Sequence, residues 1–272
     1  MNDFIHAHKF SDLHDGDQII YSIATNQMIL SSFELIKSTT KPVILITANA
    51  DLSIDDKIIN SAPNNLHLWF AQNAVSNHPK LKIIPEGLQP SYQSKTGDVG
   101  YEIAVIKENI LSSLKETTPT KFIYANFAVG TNPTFRQPIK DICNQVDFID
   151  LDVSVTYTSY ESYNNDVTLE YFYKKIKDYR ATVCPIGNGL DTHRVYETLY
   201  CNRIPITFNK VLYDKLYHQF PVVLLENIND LTNYELLDIL ITEQKKKVWD
   251  KNLLNFSYWK NIIINEHNII KE

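Results

Sequence analysis

The chain has 272 residues, 44% of them hydrophobic and 21% charged, with a formal net charge of −6. That length holds one large domain or two modest ones, each with a sizeable core. The acidic balance excludes nucleic-acid binding through a general basic surface, but not binding of a small anion at a local cationic site.

The N-terminal residues, Met1 to His8, lack the basic stretch and apolar run of a signal peptide. His6, His8 and His14 read as solvated side chains of a flexible polar segment rather than metal ligands. A strand is expected over Gln18–Ala24, then a helix over Asn26–Ser38 with Met28, Leu30, Phe33 and Ile36 on its apolar face. Pro42–Thr47 is a continuous apolar strand of the kind covered on both faces. It runs into Ala48-Asn49-Ala50-Asp51, where polar side chains emerge. A strand over 66–73 and a short one over Leu81–Ile84 follow. Residues 89–100 are polar and turn-rich and suggest a mobile loop, leading to a helix over Tyr101–Lys115.

The strand–helix pattern then restarts. Phe122–Asn126 is a strand, Asn132-Pro133 opens a helix reaching about Val146, and 153–157 suggests another strand. Leu169–Tyr179 is helical, the end of the chain is helical over Asn233–Trp249 and Phe256–Ile270, and the lysine run 245–247 reads as a solvated face. The tyrosines and phenylalanine at 157, 160, 163, 171, 172, 173 and 179 fit core packing better than a sugar-stacking face. This order predicts an α/β protein with two Rossmann-like parallel sheets, one in residues 1–116 and one in residues 117–272. The last helix, bearing Trp259, Ile262, Ile263 and Ile269, is expected to pack back on the first half.

The most informative run spans 184–207. Ala181–Ile186 and Ile204–Phe208 are strands; between them lie Gly187-Asn188-Gly189, the candidate N-caps Asp191 and Thr192, and a helix over His193–Cys201. Ligands of parallel sheets sit beyond the carboxyl ends of the strands, where this loop lies. Glycines permit close backbone approach, and a helix start offers unpaired N–H groups to an anion. Arg194 and Glu197, three apart, share a helix face. A cation there suits a diphosphate, and the carboxylate suits a ribose diol. A plain turn followed by a surface ion pair is the competing reading. His193, at the first turn, suits either capping or a hydrogen bond to phosphate or sugar. Asn126, Asn132 and Arg136 face the same sheet edge, with Arg136 either a second phosphate contact or a solvated arginine.

The run Pro185-x-Gly-Asn-Gly-x-Asp-Thr-His-Arg-x-x-Glu-x-Leu-x-x-x-x-Ile-Pro-Ile206 resembles the donor-site segment of exostosin-like glycosyltransferases of the two-domain GT-B class. The resemblance implies a UDP- or GDP-linked sugar donor bound by residues 117–272, a glycan or other hydroxyl acceptor received by residues 1–116, Glu197 on the ribose and Arg194 on the diphosphate. Gly187, Asn188, Gly189, Thr192, His193, Asn126 and Arg136 would complete the donor site. Cys201-Asn202-Arg203 replaces the family's glycine before Ile-Pro, a mild departure because Asn tolerates the left-handed conformation.

An inverting transfer needs a base for the acceptor hydroxyl. His14, Asp15, Asp51, His78 and Glu86 are candidates, with Asp51 best placed just past a buried strand, although a loop Asp also forms turns. Asp150-Leu-Asp152 has metal-motif spacing but lies in a strand-like stretch, so metal-independent catalysis without a cofactor is expected. The three cysteines, Cys143, Cys184 and Cys201, suggest neither disulfides nor zinc and fit a reducing, cytoplasmic setting. No run approaches the ~18–20 apolar residues of a membrane span; peripheral membrane association stays open. Two alternatives also remain: a non-catalytic nucleotide- or glycan-binding protein, and a transferase of a fucosyl, pyruvyl or other activated group.

Overall fold

The computed structural model describes residues 3–89, 101–152 and 166–271. The first half contains α1 (Ala7–Ser11), β1 (Ile19–Ile23), α2 (Asn26–Lys37), β2 (Val43–Ala48), α3 (Asp56–Asn60), β3 (Leu66–Ala71), β4 (Leu81–Ile83) and α4 (Tyr101–Ser113). Its four strands form a parallel sheet in the order β1-β2-β3-β4. All six residues of β2 are buried, as a strand covered on both faces requires.

The second half contains β5 (Lys121–Ala125), α5 (Pro133–Cys143), β6 (Ile149–Leu151), α6 (Asp166–Asp178), β7 (Tyr179–Val183), α7 (His193–Tyr200), β8 (Ile204–Thr207), α8 (Lys210–Lys215), β9 (Val223–Leu224), α9 (Tyr234–Lys246) and α10 (Phe256–Lys271). Its sheet is also parallel, in the order β6-β5-β7-β8-β9. The protein is thus α/β, with two Rossmann-like parallel sheets and a cleft between them, the GT-B type of architecture. The second sheet reverses its strand order at β5/β7. That reversal opens a crevice between the loops that leave the two strands, the usual ligand position in such sheets.

Helix α10 lies on the first sheet. Its Trp259 and Ile263 share a core with Ile44, Ile46 and Phe70, and His67 of β3 approaches Glu266 to 3.5 Å. The chain start joins the same core: Phe10 meets Phe256 edge-on at 5.2 Å, and the Ile5 N–H donates to the Tyr200 hydroxyl at 2.9 Å.

Several expectations need correction. The N-terminal segment is not a solvated tail, because Phe4, Ile5 and Phe10 give it apolar surface to bury; His6 goes inside with them, 3.4 Å from Glu108. The buried face of α2 is Ile29–Phe33–Ile36, at i, i+4, i+7, while Met28 and Leu30 flank it and are exposed. On α10, Ile269 is exposed and His267 takes an inward position. Tyr171 is exposed, whereas Phe172, Tyr173 and Tyr179 are core residues. The loop expected at 89–100, beyond Gln89, and the strand expected at 153–157 lie outside the described residues, as do the tyrosines at 157, 160 and 163. Among the described residues the three cysteines are free and buried, and no helix is long and apolar enough to cross a membrane.

Candidate functional site

The loops after β5 and β7 are stitched together at the strand-order reversal. Asn132, the N-cap of α5, accepts from the Phe135 N–H and donates its side-chain amide to the Gly187 carbonyl at 3.0 Å. Arg136, one turn on, donates to the carbonyls of Ala128, Pro185 and Ile186 at 2.8–2.9 Å. Its guanidinium is therefore buried and builds the glycine loop, although it still lines the cavity. The alternative of a solvated arginine does not hold. Asn126 is buried and donates to the Asp152 carbonyl at 3.1 Å.

Space, not backbone conformation, favours glycine at the two loop positions. Neither has a positive φ; a β-carbon on Gly187 would sit 3.1 Å from Arg136 Nη2, and one on Gly189 would sit 3.0 Å from Asp51 Oδ1. Gly87, from the first half, is the conformational glycine: its φ is +70°, and a β-carbon would meet the Ile5 carbonyl oxygen at 2.2 Å.

Thr192 is the N-cap of α7 by backbone geometry but makes no side-chain cap. Asp191 is a hub instead. Its carboxylate accepts from the hydroxyls of Tyr196 and Tyr217 and from the N–H groups of Glu86 and Thr192. Its own N–H donates to Asn73 Oδ1 at 2.7 Å. Burial and the nearby charge of Glu86 push the Asp191 carboxyl up to about 7, against the pull of those donors. The loop is thereby fixed to the carboxyl edge of the first sheet.

The next residues form the charged wall. His193 donates from Nδ1 to the Gly87 carbonyl at 2.8 Å, and its Nε2 lies 3.1 Å from Glu86 Oε1. A carbonyl cannot donate, so Nδ1 carries a proton; the second contact then needs another proton between Nε2 and the carboxylate. Burial opposes the imidazolium, but the charge of Glu86 outweighs it and raises the His193 pKa. Glu197 is 5% exposed. Its Oε1 accepts from Lys107 Nζ at 2.9 Å and from the Tyr173 hydroxyl at 3.1 Å, and its Oε2 lies 3.3 Å from Arg194. Burial works to raise this carboxyl, yet the charges of Lys107 and Arg194 win and hold it at about 2. The Arg194 guanidinium also stacks over Phe172, 4.1 Å from the ring centroid.

These groups line one cavity of about 270 Å³ at the carboxyl edges of both sheets. Asp51, just past β2, sits at its mouth and takes hydrogen bonds from the Asn188 side chain and the Gly189 N–H; burial and the Glu86 charge raise its pKa. Of the other base candidates, Glu86 lines the same cavity beside His193, and the remaining three are elsewhere. Asp15 accepts three backbone N–H groups in a turn, His14 accepts from the Tyr21 N–H, and His78 accepts from the Lys80 N–H. Lys107 and Phe172 were not anticipated from the sequence. Lys107 occupies the buried stripe of α4 between Ala104 and Leu111, and a lysine in such a stripe is the signal that marks it.

The arrangement can hold an anion between Arg194, Lys107 and the start of α7, and it keeps a carboxylate with a raised pKa across the cleft. No family model matches this chain, and no curated protein matches it. A solved structure described as an alpha1,3-fucosyltransferase is similar over 95% of this chain and 79% of that one, at 11% sequence identity and a TM-score of 0.49. A likeness at that level carries no argument, so the resemblance of residues 184–207 to the exostosin-like segment rests on that run alone.

Proposed function

We propose that this chain is a glycosyltransferase that moves a sugar from a nucleotide-diphosphate donor to a hydroxyl of a glycan or another acceptor. Residues 117–272 bind the donor and residues 1–116 receive the acceptor. The observation that carries this reading is the convergence at the β5/β7 reversal of a closely packed glycine loop, the start of α7, Arg194 and a buried ionised Glu197.

In this reading Arg194, the α7 N–H groups and His193 meet the diphosphate, and Glu197 accepts from the ribose hydroxyls. Gly187, Asn188, Gly189, Thr192, Asn126 and Arg136 shape the pocket around them. Asp51 takes the proton of the acceptor hydroxyl as that oxygen bonds to the sugar's anomeric carbon. The bond from that carbon to the diphosphate oxygen breaks, and the departing charge is met by groups already in place. These cations supply the charge that a metal would, so the proposed reaction is metal-independent.

The test is a thermal-shift and turnover panel of UDP-, GDP-, ADP- and CMP-sugars, GDP-fucose included, with simple glycosides as acceptors. One nucleotide class should raise the melting temperature, since occupancy stabilises the folded state, and its sugar should be transferred. Stabilisation without transfer or hydrolysis would favour a binding protein on the same scaffold. No stabilisation by any nucleotide would overturn the proposal.

A further inference from the structure

Two carboxylates leave the first sheet toward the cavity, Asp51 beyond β2 and Glu86 beyond β4, and β3 runs between those strands. Neighbouring strands lie about 4.8 Å apart, so the two loops start about 10 Å from one another, which leaves room for a sugar ring between their side chains. The loop carrying Glu86 is firmly held. The Glu86 N–H donates to Asp191 at 3.0 Å, the Pro85 and Glu86 carbonyls accept from Gln72, and the Gly87 carbonyl accepts from His193. Glu86 itself is 9% exposed, and His193 Nε2 meets its Oε1 at 3.1 Å. A carboxylate accepts about four hydrogen bonds, and among the described residues no donor reaches Oε2. The charges around the cavity are sorted. Lys107 and Arg194 gather on Glu197 at the α7 end, and Arg136 on the loop carbonyls. Asp51 and Glu86 stand at the first-sheet end, close enough that burial and then the Glu86 charge raise the Asp51 pKa. Asp51 is met there by neutral donors, the Asn188 side chain and the Gly189 N–H, and the imidazole beside them is already engaged by Glu86.

We infer that Glu86 is an acceptor-binding residue that selects neutral, hydroxyl-rich acceptors over acidic ones. Its free oxygen accepts from a hydroxyl neighbouring the one whose proton goes to Asp51, and His193 holds the carboxylate in place for that contact. An ionised oxygen is a strong partner for a hydroxyl. Two carboxylates at one place also repel an acceptor that carries a carboxylate or phosphate of its own, a selection by like charge. The acceptor class is therefore a neutral sugar or another polyol, not an acidic glycan. The inference rests on the transfer reading proposed above, with Asp51 as the base, and it supplies the acceptor class that this reading leaves open.

Acceptors that differ by one charge test it: methyl glucoside and methyl galactoside, each beside its uronate. Steady-state transfer from the nucleotide-sugar would be measured for the parent, Glu86→Gln and Asp51→Asn. The glutamine oxygen can still accept from His193, so the loop should stand, read by an unchanged Tm and nucleotide affinity. The parent should show a KM for the neutral glycosides about tenfold or more below that for the uronates. Glu86→Gln should raise the KM of the neutral glycosides about tenfold, with kcat little changed, and lose most of the discrimination. Asp51→Asn should instead lower kcat on every acceptor. The inference is overturned if the parent uses uronates equally well, if Glu86→Gln keeps the parent's discrimination, or if it lowers kcat at constant KM, the signature of the base itself. If Glu86→Gln does not fold, Glu86→Asp decides. It keeps the charge and shortens the reach, so the KM of the neutral glycosides should rise while uronates stay rejected, and an unchanged KM overturns the inference. Saturation-transfer NMR with the same glycosides and no donor separates the inference from the reading it rests on. If no nucleotide-sugar is used, yet neutral glycosides bind, uronates do not, and Glu86→Gln removes the difference, the transferase reading falls and the role of Glu86 stands. If sugar is transferred to uronates and neutral glycosides alike, only the role of Glu86 falls. If no glycoside binds or accepts, the inference falls.

Discussion

Two carboxylates six residues apart, Asp191 before α7 and Glu197 within it, are almost equally buried, at 4% and 5% exposure, and the fold treats them oppositely. Asp191 is surrounded by hydroxyls and N–H groups, with Glu86 close by, and its pKa climbs to about 7. Glu197 faces Lys107 and Arg194 and falls to about 2. Burial alone cannot decide the ionisation of either; full charges nearby outweigh neutral donors. The difference also divides their roles. Asp191 spends its acceptors on holding the glycine loop to the first sheet, whereas Glu197 stays a fixed negative charge in the cavity wall.

The strongest way to break this comparison is to remove the partners. Lys107→Met leaves a buried carboxylate without its nearest cation, which should cost about 3 kcal/mol. In a chain of this size that is a fall of roughly 6–12 °C in Tm, read by calorimetric melting. Asp191→Asn removes a charge that Glu86 opposes, and it should cost only about 1 kcal/mol or less at pH 7. Equal costs would mean that the two environments do not differ as described.

The pH dependence separates the two sites by sign. Glu197 has a depressed folded value, so it contributes stability above its ordinary 4.5 that is lost as pH falls from 4.5 toward 2. The contribution is on the order of 3 kcal/mol. Asp191 has a raised value, so it favours the folded state below 3.8 and costs stability as pH climbs from 3.8 toward 7. In denaturant titrations between pH 3 and 7, the deficit of Glu197→Gln should shrink on the acid side. Asp191→Asn should gain on the parent as pH rises.

Much of the loop-and-helix geometry at residues 184–207 was legible in the sequence because its signals are local. Glycines, cap residues and the three-residue spacing of Arg194 and Glu197 lie within one strand–loop–helix–strand unit, and local geometry places them. What escaped depends on contacts between distant segments. Tyr217 reaches Asp191 from 26 residues away, and the Gly87 carbonyl reaches His193 from 106. Lys107 was legible in principle, since Ala104, Lys107 and Leu111 form one helical stripe, but a lysine in a helix is read by default as solvated. The N-terminal segment misled because its histidines and charges masked the apolar set Phe4, Ile5 and Phe10.

Smaller perturbations sharpen the picture of the Asp191 hub. Tyr217→Phe deletes one hydroxyl from a charged acceptor and should destabilise by about 1.5 kcal/mol, raising the Asp191 pKa further; NMR titration of the labelled carboxyl reads the second effect. Gly189→Ala puts a methyl 3.0 Å from Asp51 Oδ1. Asp51 is a side-chain end near the cavity mouth and can shift, so the cost should be about 1 kcal/mol. Turnover should suffer more than stability if Asp51 is the base.

The central claim is that the start of α7 holds the diphosphate of a nucleotide. Titration calorimetry of the parent and Arg194→Ala with UDP and GDP tests it most directly. Losing a charge-assisted contact of about 1.5–3 kcal/mol should weaken binding roughly 10- to 150-fold, with the Arg194→Ala variant still folded. If Arg194→Ala binds the nucleotide like the parent, the diphosphate lies elsewhere and the account of this site is wrong.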